Sequence, residues 1–368
     1  MTELLQSAKV IVCVGSGGVG KTTVASAIAM RAAQLGKKVL VLTVDPSRRL
    51  KSTMGLDDKE DSEIFHPSIK GSLHASIIDP KKIFDEFVVR ASSKEDRAQK
   101  ILKNKLYIQL STTLSGSQEF TALEKLYSSF ESGLYDLIVL DTPPTKHAID
   151  FLQAPQKLSS LFNENVAQWF RDPEGQERGF FKTVLQTGTR QVLKALEALT
   201  GSEFMGELAD FFKSIQKWQG QLEQRIAASH NLLTSRDTHF VLVTSFDEAK
   251  LKEAEFFSRE IRKSGYQLST VLINRAYPKG LDLNQKVSDG NDLLHLYKVF
   301  QSLLEAKEKF YQSFSIRMSN SGAAGVSTGA KSTSRGQVLR IPELMNQISD
   351  LEGVVEMAQN IQEAEDSN

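Results

Sequence analysis

The residues of this chain best equipped for chemistry gather in one glycine-rich stretch, VGSGGVGKTT at positions 14–23, and in two aspartates, Asp45 and Asp141, that each close an apolar run. Gly15, Gly20, Lys21 and Thr22 match G-x-x-x-x-G-K-[ST], a loop that wraps phosphate oxygens. Gly15, Ser16, Gly17, Gly18, Val19 and Gly20 form the turn whose backbone N–H groups close around the phosphates. Lys21 is expected to reach the β- and γ-phosphates, Thr22 to ligate Mg2+, and Thr23 to lie near the α-phosphate. A helix beginning at the loop adds the positive end of its dipole.

Asp45 stands at the carboxyl end of KKVLVLTVD, where doubly wound sheets bind their ligands. It is suited to orienting an attacking water or holding Mg2+ through water; a plain helix cap is the other reading. Arg48 and Arg49 follow at once, either as a solvated basic turn or as a contact to nucleotide phosphate. Asp141 ends YDLIVLD in the Walker B pattern, a carboxylate placed for the Mg2+ shell. TPPTKH then leaves that strand as a loop stiffened by two prolines, and His147 within it has no second histidine at metal-ligand spacing.

The elements that must position these groups are legible as alternating runs. KVIVCVG reads as a strand buried on both faces, and VASAIAMRAAQLG as the helix after it, ending at Gly36. THFVLVTSF is a later strand. The pattern predicts an α/β fold: a doubly wound, mainly parallel sheet of the P-loop type with an inserted helical subdomain. The P-loop domain is assigned to residues 1–150 and 236–368, and the insertion to 151–235, joined by helices within 81–131. In the insertion, Phe204, Leu208, Phe211, Ile215, Trp218, Leu222 and Ile226 recur at helical spacing. That face fits helix-on-helix packing or a groove for a client helix. DLLHLYKVFQSLLEAKEKFYQSF is a further amphipathic helix. The Ser/Gly-rich stretch at about 319–336 reads as a linker, IPELMNQISDLEGVVEMAQNI as a terminal helix, and the acidic EAEDSN as a frayed end.

Composition narrows the alternatives. The 368 residues carry 45 basic and 45 acidic side chains, so no overall charge favours nucleic acid. The only cysteine, Cys13, sits inside an apolar strand and excludes an internal disulfide or a cysteine cluster. The opening residues lack a secretory pattern and no run is long enough to span a bilayer, which predicts a cytoplasmic protein without direct membrane insertion.

With these segments in hand, the chain resembles the ArsA family of ATPases, which includes the arsenite-pump ATPase and the ATPase that delivers tail-anchored membrane proteins. The resemblance is carried by GSGGVGKTT, TVDPSRRLKSTMGL, LSGSQEFTALEKL and above all LDTPPTKHAIDFLQAP, and it spans about residues 8 to 280. A later match, FVLVTSFDEAKLKEAEFFSREIRKSGYQLSTVLINRAYP, implies Asn274 as the base-reading residue with Arg275 beside it. The resemblance also implies ATP with Mg2+, Asp45 in a first switch, the Asp141–His147 segment in a second, and a homodimer or pseudodimer. A membrane-protein partner or client is a further implication, and the missing N-K-x-D motif agrees with ATP rather than GTP.

Departures from the family pattern matter as much. Its loop usually carries a lysine at the second position, which reaches the partner subunit's phosphates. Here that position is Ser16, a deviant Walker A loop. Either Arg48 or Arg49 supplies the missing charge, a paralogous subunit supplies a lysine in trans, or hydrolysis is slow. Relatives with this S-G-G-V-G-K-T-T loop are similar to subunits that work in pairs, so a heterodimer stands beside the homodimer. A lone cysteine and a single P-loop do not match the arsenite pump, and the C-x-x-C that clamps zinc in the targeting factor is missing. Two other function classes fit a P-loop: a ParA- or MinD-like positioning switch, opposed by the neutral charge, the acidic end and the long insertion, and a small-molecule kinase, for which no acceptor pocket is identifiable.

Overall fold

Short β-branched runs separated by turn signals build the sheet that carries the loop. The computed structural model describes residues 1–44, 53–54, 61–91, 102, 118–142, 220–221, 223–276, 291–321, 337–344 and 348–366. Asp45, Arg48, Arg49, His147, the stripe from Phe204 to Leu222 and most of the 151–235 insertion lie outside the described residues.

The strands are β1 (Val10–Val14), β2 (Lys38–Thr43), β3 (Asp61–Ile64), β4 (Ser72–Ile77), β5 (Leu137–Asp141), β6 (Thr238–Ser245), β7 (Leu268–Ala276) and β8 (Gln337–Pro342). They form one sheet in the order β3-β4-β2-β5-β1-β6-β7-β8. Every pairing is parallel except β3 with β4. From β1 the chain moves past β5 to β2, and later strands return to the other side of β1, so the end of β1 lies where the strand order reverses. That is where doubly wound sheets bind ligands.

Helices with both ends among the described residues include α1 (Thr2–Ser7), α2 (Lys21–Gln34), α3 (Pro80–Ala91), α4 (Gln118–Glu131), α5 (Glu248–Lys263), α6 (Asn291–Ser321) and α7 (Leu351–Asp366). Nearly every side of α2 is buried: Val24, Ala25, Ala27, Ile28, Ala29, Met30, Ala32 and Ala33 are all shielded. A helix apolar all round belongs in a core, and its alanines admit close approach by neighbours. It shares one core with Ile11 and Cys13 of β1, Val139 of β5, Val241 and Val243 of β6, and Val354, Ala358 and Ile361 of α7. The opposite faces of the same strands are buried too, through Val10, Val12, Leu40, Leu42, Ile138 and Leu140. Burial on both faces explains why these strands read as unbroken apolar runs.

The chain divides into two compact units, Met1–Ile78 with Leu126–Leu152 and Asn231–Asn368, and Asp79–Lys125 with Gln153–His230. No helix among the described residues is long and apolar enough to cross a membrane.

Three expectations at the carboxyl-terminal end are corrected. First, α6 continues to Ser321, three residues into the stretch read as a linker. Second, Ile341 and Pro342 end the edge strand β8 and do not begin the terminal helix, which starts at Leu351. Val338, Leu339 and Ile341 are buried there, and a proline is tolerated where a strand stops at a sheet edge. Third, Glu363 to Asp366 are helical rather than frayed. The Glu365 carboxylate anchors that end by accepting from the Thr2 backbone N–H at 2.9 and 3.0 Å and from the Thr2 hydroxyl at 2.8 Å.

Candidate functional site

The loop between β1 and α2 takes a shape that only its glycines permit. A Cβ on Gly15 would lie 2.1 Å from the Val243 carbonyl oxygen of β6, so the loop passes β6 at backbone contact. Gly20 caps α2 with φ 87° and ψ 28°, a left-handed conformation that costs other residues about 1–2 kcal/mol. The first turn of α2 then presents Lys21 and Thr22 in succession. The Lys21 ammonium folds back over the loop and donates to the Ser16 carbonyl at 3.0 Å.

Sheet register brings the second half of the site to the same place. Asp141 pairs with Cys13 on β1 and with Thr43 on β2, and it is fully buried. Its Oδ2 accepts from the Thr22 hydroxyl at 2.7 Å and from the Thr43 hydroxyl at 2.9 Å. The next residue, Thr142, donates its hydroxyl to the Cys13 carbonyl at 2.8 Å, which ties it to β1. Burial, with the Asp141 carboxylate adding to it, pushes the Cys13 thiol far up from its ordinary value. That thiol is core, not chemistry.

Among the described residues no three His, Cys, Asp or Glu side chains converge as a metal cluster. A hydroxyl and one carboxylate beside a phosphate loop suit Mg2+, which takes one or two carboxylates and fills its shell with substrate phosphates and water. The donor set therefore fits that ion.

Ser16 is buried beside α5. Asp247 caps that helix by accepting from the Ala249 and Lys250 backbone N–H groups. One turn on, the Lys250 ammonium lies 2.9 Å from the Glu253 carboxylate. Glu253 sits below the usual carboxylate range. Lys250 holds it down first, against the cost of partial burial, and the nearby Ser16 hydroxyl lowers it further. Sequence reasoning missed Glu253, Lys250 and Thr43. A threonine closing a strand beside a Walker B strand was the one available signal for Thr43.

Asn274 and Arg275 close β7. Asn274 is buried, and its Nδ2 donates to the Val19 carbonyl of the phosphate loop at 2.9 Å. The structure thus brings Gly15 to Thr23, Asp141 and Asn274 to one end of the sheet.

A family model described as anion-transporting ATPase matches residues 8–289. The chain belongs to this family, the ArsA ATPases. It is 24% identical over 309 residues to a putative arsenical pump-driving ATPase 1 of Aquifex aeolicus, covering 81% of this chain and 71% of that protein. It is 24% identical over 308 residues to ATPase get3 of Aspergillus terreus, covering 82% of each. An ATPase ASNA1 homolog 1 of Paramecium tetraurelia is 26% identical over 276 residues, 73% of this chain and 75% of that protein. This ArsA-family chain is accordingly an ATP hydrolase.

Proposed function

We propose that this ATPase cleaves Mg2+-bound ATP at the loop of residues 15–23 and passes its nucleotide state to a partner through two switch segments. The observation that carries the reading is the Thr22–Asp141 contact beside Lys21. Water attacks the γ-phosphorus, the bond to the β-bridging oxygen breaks, and ADP and inorganic phosphate leave. Lys21 and the loop N–H groups stabilise charge that grows on the phosphoryl oxygens. Thr22 would hold Mg2+ with Asp141 in its outer shell, and the ion supplies positive charge to the β- and γ-phosphates when bound. Asp45 orients the water, with the Asp45 and Asp141–His147 segments as the switches. Asn274 and Arg275 meet the adenine.

The chain works as a homodimer or with a paralogous subunit, in the cytoplasm, on a membrane-protein partner or client. Ser16 carries no charge of its own. Arg48 or Arg49 takes that role in this reading, and Lys250, held by Glu253 beside Ser16, is a third candidate.

The test is ATP turnover by the purified chain with Mg2+ and with chelator, for wild type, Lys21→Ala, Arg48→Ala, Arg49→Ala and Lys250→Ala, with sedimentation in both nucleotide states. The expected result is Mg2+-dependent turnover lost in Lys21→Ala and sharply reduced in one cation variant. Turnover that survives Lys21→Ala or full chelation sinks this site assignment.

A further inference from the structure

The phosphate loop has a brace that its own motif does not contain. Asn274 lies near the end of β7, in register with Ser245 of β6, and the residue is only 6% exposed. Its Nδ2 donates to the Val19 carbonyl at 2.9 Å. Its Oδ1 accepts from the Arg275 backbone N–H at 2.9 Å, and Arg275 adopts φ 55°, in the left-handed region that non-glycine residues rarely enter. The carboxamide is thus held at both ends. Gly20 makes room for it, since a Cβ there would lie 2.4 Å from Nδ2.

The consequence follows from the peptide unit. A trans peptide is planar, with its carbonyl and N–H pointing in opposite directions. Pinning the Val19 carbonyl toward Asn274 therefore turns the Gly20 N–H the other way. A loop that cradles phosphate needs its N–H groups turned toward the anion and its carbonyls turned out. One hydrogen bond from β7 sets that orientation for the Val19–Gly20 peptide. A carboxamide has two N–H groups and two oxygen lone pairs. These two bonds use one of each, so bracing the loop and meeting a base edge are compatible.

We infer that Asn274 is a positioning residue for the phosphate loop, required for binding the phosphate chain whether or not a base is attached. This deepens the nucleotide-site reading above and rests on it. A base-reading Asn274 would affect only ligands that carry adenine; a brace affects a bare polyphosphate as well.

The experiment compares ATP with inorganic tripolyphosphate by calorimetric titration in Mg2+, using wild type, Asn274→Asp and Asn274→Ala. Asn274→Asp keeps the size and the acceptor for the Arg275 N–H, but removes the donor and sets oxygen against the Val19 carbonyl. Both ligands are expected to weaken by the same factor, roughly tenfold or more for a lost buried hydrogen bond. If tripolyphosphate binds the variants as it binds wild type, the brace is wrong, whatever happens to ATP. If wild type binds neither ligand, the nucleotide-site reading itself fails. The wild-type chain gives a test that no folding defect can spoil. One proton of the Asn274 side-chain NH2 should exchange slowly with solvent by NMR, with and without tripolyphosphate. Rapid exchange of both protons overturns the inference.

Discussion

The Thr22 hydroxyl donates to Oδ2 of Asp141 at 2.7 Å, joining the first turn of α2 to the last residue of β5. Thr43 donates to the same oxygen, so a single carboxylate atom gathers two hydroxyls from two elements. In the proposed site Thr22 ligates Mg2+ and this carboxylate orients its hydroxyl; losing an orienting group typically weakens metal binding about 10–100-fold. Asp141→Asn and Thr22→Ala are therefore expected to raise the Mg2+ concentration for half-maximal turnover by roughly that factor. Thr22→Ser, which keeps the hydroxyl, should stay close to wild type. A Mg2+ titration of turnover decides it; an unchanged requirement in Asp141→Asn would remove Asp141 from the metal shell.

Glu253 gives a pH-dependent signature. Its folded pKa lies below its ordinary value of 4.5, chiefly because of Lys250. A depressed carboxylate contributes stability that is present above the unfolded pKa and is lost as pH falls through the folded one. The pair is half in water, with Glu253 47% exposed, so its contribution is no more than ~1 kcal/mol. Glu253→Gln should melt slightly lower than wild type near pH 7, and the gap should close below about pH 4. A gap that widens on acidification contradicts the assigned sign.

The fold was legible where local pattern and final environment agree. β1, β2, β5 and β6 are buried on both faces, and unbroken apolar runs announce that. The glycine-rich loop and the position of Asp141 were legible because one follows β1 directly and the other ends β5. β8 was not, because six residues with an arginine inside and a proline at the end carry little strand pattern. The Asn274–Val19 bond spans 255 residues and depends on the register of β7, which no local pattern states. The nearness of Glu253 to Ser16 likewise depends on the rotational phase of α5 against the loop.

Cys13 should be inert to thiol reagents in the folded chain. Its side chain is fully buried, and burial with the Asp141 carboxylate beside it keeps the proton on sulfur through the physiological range. The thiolate is the reactive species. An aromatic disulfide reagent should release no colour from native protein at pH 8 and one equivalent after unfolding in denaturant. Rapid labelling of the native state would mean that β1 opens locally far more often than its burial implies.

In the second compact unit, Glu124 of α4 is the hub of an ion-pair network. Its carboxylate is 1% exposed and accepts from Arg90 of α3 at 2.9 Å and from Arg225 through two nitrogens at 2.8 and 3.0 Å. The two-nitrogen geometry with Arg225 is the stronger kind, and Arg225 is only 21% exposed. Arg90 is half-exposed at 48%, so its share is screened by water. Removing one partner of a buried pair costs about 3–5 kcal/mol, because the other charge stays behind without compensation. Glu124→Gln should therefore cost about 3 kcal/mol, since it also sets an amide N–H against guanidinium donors. Arg90→Ala should cost ~1 kcal/mol or less. Chemical denaturation of the two variants measures both. Equal losses would mean that Arg90, not Arg225, is the principal partner of the buried carboxylate.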